Sequence, residues 1–307
     1  MFYYYEVATV LENEDLVHEF DQRLCWMRQK GYSTQIDIYN GKGYDFIYLM
    51  LQGEEKDEVF KEEDIVHIFQ HQLAEILAEH IIKDWEGKLI WKKVLKLCRQ
   101  YQPAERNAIF KKAYDFLSGF HENESLNLFI NFNRKNRIMS RILEHIKRSD
   151  KIIIEGFIRF GLPDYLQEID GAVKIAQEEF KNEKEYNEFI RLLQYFVNSQ
   201  VPKTYEINIM PGPQGSFYFW DGDNAVLEEK YVDYYRDLCA DEVSLDDVLI
   251  SVLITIAPRR IVLHNMEKCR CHQEALDIIR KVFGERIQIC PGCRYCCLFK
   301  EDKDFTW

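Results

Sequence analysis

The sequence predicts an α+β protein that is predominantly helical: a small N-terminal α/β unit, a central helical region and a C-terminal mixed α/β unit with a cysteine cluster. Three observations lead there. Apolar residues recur every three or four positions through the middle of the chain, the period of a helix with one buried face. β-Branched and aromatic runs bounded by turn residues are confined to the two ends. Only seven prolines and fourteen glycines punctuate 307 residues, so long elements follow. The boundaries we read are 1–51, 52–200 and 201–307.

Tyr3 to Val10 is a strand by composition. Leu11 to Lys30 is a helix that buries Leu16, Phe20, Leu24 and Met27, capped by Asn13 and stopped by Gly31. Strands near Ser33–Tyr39 and Tyr44–Leu51 are joined by Asn40-Gly41-Lys42-Gly43, which is hairpin chemistry. The stretch 52 to 64 is strongly acidic and reads as a solvated loop or helix start; it lacks the alternate ligands and central glycine of a calcium loop. Residues 65 to 148 carry four helical segments. The first is marked by Ile65, Phe69, Leu73 and Ile76, and the second continues beyond Gly87. The third opens at Pro103 and ends near Gly119, and the fourth spans Glu124 to Lys147. His67, His71 and Glu75 share one helix face without the HExxH signature, and we read them as structural. The segment IIIEGFIRFGL mixes β-branched residues with glycines and fixes no state; were it helical, Glu155 would pair with Arg159 one turn on. Helices follow at Asp170–Phe180 and Glu183–Val197.

Beyond Pro202 the pattern changes. Thr204–Met210 and Ser216–Trp220 form a hairpin about Pro211-Gly212-Pro213-Gln214-Gly215. A helix at Glu229–Leu238 and an apolar helix at Leu245–Ile256, begun by a Ser244 cap, come next. The chain then reads strand Ile261–His264, helix His272–Phe283 and strand Arg286–Ile289, a β-α-β unit with cysteines at its connections.

A formal net charge of -12 argues against broad affinity for nucleic acid, which needs a positive surface. The N-terminus has no basic segment or cleavage site of a signal peptide, and the longest apolar run, Val248 to Ala257, is about half a membrane span. We expect a cytoplasmic protein with reduced thiols and no membrane insertion. There is no phosphate loop, nucleophile elbow, kinase signature or pair of glycosidase carboxylates. The reading that follows is a non-enzymatic binding or assembly protein with an unknown protein partner. The enzyme alternative would place acidic and histidine groups in a cleft between the helical region and residues 201–265.

The segments GFIRFGLPDYLQEIDGAV, EKEYNEFIRLLQYFVNSQ and APRRIVLHN resemble the YtxC-like family of sporulation-associated proteins, most densely from Glu155 to His264. The resemblance implies an endospore-forming host and a developmental context. It implies no activity, catalytic residue or cofactor.

Six of the nine cysteines fall between Cys269 and Cys297. Cys269, Cys271, Cys290 and Cys293 make two pairs separated by a helix, a frequent solution for tetrahedral structural zinc. If strands 261–264 and 286–289 are parallel, their C-terminal ends bring the two groups together. Cys296, Cys297, His264 and His272 are substitute ligands. The run Cys290, Cys293, Cys296 also has the C-x2-C-x2-C spacing of an iron-sulfur protein, and Cys290-Pro-Gly-Cys293 that of a dithiol redox site. A chain without metal is the remaining alternative. Cys25, Cys98 and Cys239 read as small buried hydrophobes.

Arg134, Arg137, Arg141 and Arg148 are three, four and seven residues apart, which sets them on one side of a helix. Such a stripe could contact the phosphates of a nucleic acid; alternatively it answers acidic groups within the fold or on a partner, the reading that the net charge favours.

Overall fold

A computed structural model of the chain describes residues 2–10, 14–41, 43–53, 61–119, 124–211, 217–222, 245–265 and 273–298. It is an α+β architecture, predominantly helical, with two four-stranded sheets and two compact units, Met1–Lys181 and Asn182–Trp307.

The first unit opens β1 (Phe2–Thr9), α1 (Glu14–Gln29), β2 (Ser33–Asn40), β3 (Asp45–Gln52). Leu16, Phe20, Leu24 and Met27 are buried, as their spacing predicts, and Gly31 takes the positive φ that ends α1. Helix α2 (Glu62–His80) runs through a π-helical segment, Ile81–Trp85, into α3 (Glu86–Leu97). Helix α4 (Pro103–Ser118) starts on proline, with a capping box between Gln102 and Glu105, and stops at left-handed Gly119. Helix α5 (Glu124–Ile146) leads to β4 (Lys151–Ile153) and α6 (Ile154–Gly161). The ambiguous segment is thus a three-residue strand followed by a helix. Strand β4 lies parallel to β1, giving the order β2-β3-β1-β4. Glu155 does not pair with Arg159 as the helical spacing suggested. Its carboxylate instead accepts the Val10 backbone N–H at 2.7 Å and the Thr9 hydroxyl at 3.2 Å, tying down the end of β1.

The two helices expected after residue 170 are one helix, α7 (Pro163–Ser199), because neither proline nor glycine interrupts residues 172–199. Cys25 is exposed, a correction to its reading as a core residue; Cys98 is buried, and Cys239 lies outside the described residues.

The Lys135 ammonium donates to Glu75 at 2.6 Å and to Glu79 at 2.5 Å. The Lys135 hydrogen bond, opposed by burial, holds the Glu75 carboxyl below its ordinary value of 4.5. A depressed acid contributes stability that is present above its unfolded-state value and is lost as pH falls through the folded-state value. Replacing Lys135 with methionine is therefore expected to flatten the acid limb of the stability curve below about pH 4.5. Urea titrations at stepped pH measure this; an unchanged acid limb contradicts the assignment.

The second unit continues from α7 into β5 (Glu206–Pro211), β6 (Phe217–Asp221), α8 (Leu245–Ile256), β7 (Arg260–Leu263), α9 (Gln273–Phe283), β8 (Ile287–Ile289) and α10 (Arg294–Leu298). Its sheet has the order β6-β5-β7-β8, with β5, β7 and β8 parallel. Leu249, Leu253, Ile256, Ile261, Leu263 and Ile279 form the centre of its core. The helix expected at 229–238, the Ser244 cap and most of the Pro211–Gly215 turn lie outside the described residues.

Candidate metal centre

Strand β7, with three apolar residues after Arg260, lies between two parallel neighbours, so its C-terminal end is fixed on both sides. Leu263 is paired with Ile289, and the next residues are His264 and Cys290. The Cys290 backbone N–H donates to the Leu263 carbonyl at 2.9 Å, and that of His264 to the Ile209 carbonyl at 2.8 Å. The chain then turns through Pro291 and Gly292, whose φ of 117° suits glycine alone. Cys293 follows the turn, and α10 carries Cys296.

The ligand atoms of His264, Cys290, Cys293 and Cys296 all lie within 4.8 Å of one another. His264 Nδ1 is 3.4 Å from the sulfurs of both Cys293 and Cys296, and the Cys296 sulfur is 3.8 Å from those of Cys290 and Cys293. His264 and Cys296 are buried, while Cys290 and Cys293 are half-buried. One nitrogen and three sulfurs converge, and together they could hold one metal ion.

A buried amide sets the histidine. Asn208, 7% exposed on β5, directs its Nδ2 toward two acceptors, the Glu206 carboxylate at 3.4 Å and the Asp221 carbonyl at 3.5 Å. Its Oδ1 therefore faces His264 Nε2 at 3.0 Å and accepts that N–H. Nε2 carries the proton, and the Nδ1 lone pair points to the sulfurs, the outer-sphere arrangement that orients a metal-ligating histidine. Burial lowers the His264 pKa, and Glu206 opposes the shift. Burial raises the Cys293 thiol, but the Cys296 backbone and the neighbouring cysteine side chains outweigh it, and the net shift is downward. Burial raises the Cys296 thiol. The Trp220 ring backs His264 at 5.1 Å between centroids, and left-handed Asn265 donates to the Cys296 carbonyl at 3.3 Å.

The adjacency inferred from parallel strand ends is thus present between His264 and Cys290. Cys290 and Cys293 stand together, joined by His264 and Cys296 from the substitute ligands. Cys269, Cys271 and His272 lie outside the described residues, as does the side chain of Cys297. Asn208 was missed by sequence reasoning. No local pattern marks it; only the pairing of β5 with β7 sets it beside His264.

Three of the four stripe arginines meet carboxylates. Arg134 is 5% exposed, pairs with the buried Glu86 and donates to the Leu117 carbonyl at 2.7 Å, so it is not a surface contact for a polyanion. Arg137 pairs with Glu168, and Arg141 lies 3.3 Å from Asp164. The acids come from α3 and α7. Arg148 is exposed and follows the end of α5. Among the described residues no helix is long and apolar enough to cross a membrane.

A Bacillus subtilis (strain 168) protein described as the uncharacterized protein YtxC is 27% identical over 194 residues, 61% of this chain and 65% of that protein, so the match spans just under two thirds of the relative's length. No solved structure matches. The YtxC-like family matches residues 71–288, which take in the second half of α2 and all of α3 to α9, the buried Glu86–Arg134 pair, Asn208 and His264. The chain belongs to the YtxC-like family.

Proposed function

We propose that this is a non-enzymatic binding or assembly protein whose second unit is stapled by one structural zinc ion, held by His264 Nδ1 and the sulfurs of Cys290, Cys293 and Cys296. The spacing of the ligand atoms carries the reading. A tetrahedral zinc with Zn–S near 2.3 Å and Zn–N near 2.0–2.1 Å has edges of about 3.8 Å between sulfurs and about 3.5–3.6 Å between sulfur and nitrogen. Four of the six edges here are 3.8 Å between sulfurs and 3.4 Å between sulfur and nitrogen, and the other two stay within 4.8 Å. An iron-sulfur cluster interposes iron and sulfide atoms and spreads its cysteines wider than one ion's edge. Four protein ligands close the tetrahedron, so no position is left for a reacting water. His264 and Cys296 thus take the places that the spacing alone suggested for Cys269 and Cys271. The cytosol, where thiols stay reduced, suits such a site.

The family resemblance supports a sporulation context; a host deleted for the gene that forms heat-resistant spores at the wild-type frequency removes that part of the proposal. The metal is tested by elemental analysis of protein purified without added metal, with cobalt substitution to read geometry. About one zinc per chain and a tetrahedral cobalt spectrum are expected. Iron with labile sulfide, or folded metal-free protein that takes up no zinc, refutes the reading.

A further inference from the structure

The first sheet has two unlike faces. Tyr5, Val7, Ile47, Leu49 and Ile152 point into the core of the unit. Alternation puts their neighbours on the other face. There the register lays out one row as Asp37, Tyr48, Glu6, Lys151 across β2, β3, β1 and β4. The next row is Tyr39, Phe46, Ala8, Ile153. Ring contacts confirm the face: Tyr39 lies 6.4 Å from Phe46, and the Lys151 ammonium sits 5.4 Å over the Phe46 ring. Much of it meets solvent, with Phe2 67%, Tyr39 62% and Ile153 40% exposed. Beside Ile153 and Lys151, a cavity of about 520 Å³ is rimmed by Phe160, itself 78% exposed. Exposed rings grouped on one face are the kind of surface that marks an association site.

We infer that this face is a self-association surface on which a second copy of the chain docks sheet to sheet. The occupant follows from the two rows. A two-fold axis lying between the sheets and parallel to the strands exchanges β2 with β4 and β3 with β1, the aligned mode of sheet packing. It sets Asp37 against Lys151 of the second copy, whose ammonium also holds Glu6 of its own chain at 2.5 Å, and the Tyr48 hydroxyl against Glu6. It sets the exposed Tyr39 against Ile153 at the mouth of the cavity. The Asp37–Lys151 and Tyr39–Ile153 contacts each occur twice per dimer. A phosphate backbone suits the face poorly, because Glu6 and Asp37 stand in its central row. This inference goes beyond the metal reading and uses no residue of the second unit.

The test is sedimentation equilibrium of the full chain, with a photo-crosslinking amino acid at position 39. A concentration-dependent dimer is expected, crosslinked from position 39 to residues 151–160 of the other copy. Asp37→Lys opposes like charges at two places and is expected to weaken the dimer about 100-fold. Asp37→Lys combined with Lys151→Asp and Glu6→Lys, which keeps an ion pair between positions 6 and 151 of each chain, restores most of that loss, which a folding defect would not do. Tyr39→Asp, at an exposed position, disrupts the dimer while the circular dichroism stays native. A monomer at every concentration overturns the inference. So does a dimer indifferent to these changes, or a crosslink that lands on another protein, on nucleic acid or elsewhere on the chain. Metal content is read on the same samples, so failure of the zinc site and failure of the dimer are separate results.

Discussion

The Cys290→Ser chain is expected to lose its metal and, with it, the order of residues 287–298, while Met1–Lys181 unfolds as before. Strand β8 has three residues and α10 has five, both too short to hold themselves in place. Ile289 is 61% exposed, so little apolar burial anchors the strand. What is left to hold them is the ligation proposed above; structural zinc contributes apparent binding energies on the order of 10 kcal/mol that exist only in the folded state. The two units keep separate cores, so the loss stays in the second. Hydrogen exchange by mass spectrometry is the measurement. Protection should vanish from 287–298 in the variant and in chelator-treated wild type, and fall in β7. Metal-depleted protein with wild-type protection there contradicts the staple.

Arg134→Met is expected to destabilise the first unit by about 3–5 kcal/mol, among the largest effects of any single change. Glu86 is 2% exposed, and it also accepts the Tyr165 hydroxyl at 2.8 Å. Burial raises the Tyr165 pKa, and Glu86 adds to the shift, which keeps the phenol a donor. Removing the guanidinium leaves a carboxylate without its cation in a dry interior, at the full desolvation cost. The Leu117 carbonyl loses its donor as well. Adding Glu86→Gln should recover a large part, since the amide still accepts from Tyr165 and carries no charge. Urea denaturation of both variants gives the comparison. A single-variant loss below about 1 kcal/mol would show that the pair is not held dry.

What could be read from the sequence was whatever a short window encodes. The α1 face, the Pro103 start and the Gly119 stop are local, and they stand where they were expected. The single helix through 163–199 was read as two, at 170–180 and 183–197, although no proline or glycine separates them. Strand β4 was invisible: three residues carry no period, and only β1 makes them a strand. The site divides in the same way. Cys290 and Cys293 announce themselves by spacing. His264 was ranked as the end of a buried strand, because its distance of 26 positions from Cys290 is closed by sheet order alone. Asn208 lies further still, and the tautomer it imposes is a property of the assembled sheet. The arginines were found by periodicity, but their partners Glu86 and Glu168 come from other helices.

The parallel pairing of β4 with β1 also has a meaning in time. Glu6 pairs with Lys151, so 145 positions separate the two sides of that ladder. A ribosome adding about 5–20 residues per second makes β4 roughly 7–30 s after β1. Throughout that interval β1 can be paired by β3 along one edge, while its other edge has no partner of its own chain to meet. A nascent polypeptide in this state offers an open strand to its neighbours on the same message, and the four helices α2 to α5 must be made before that edge can close.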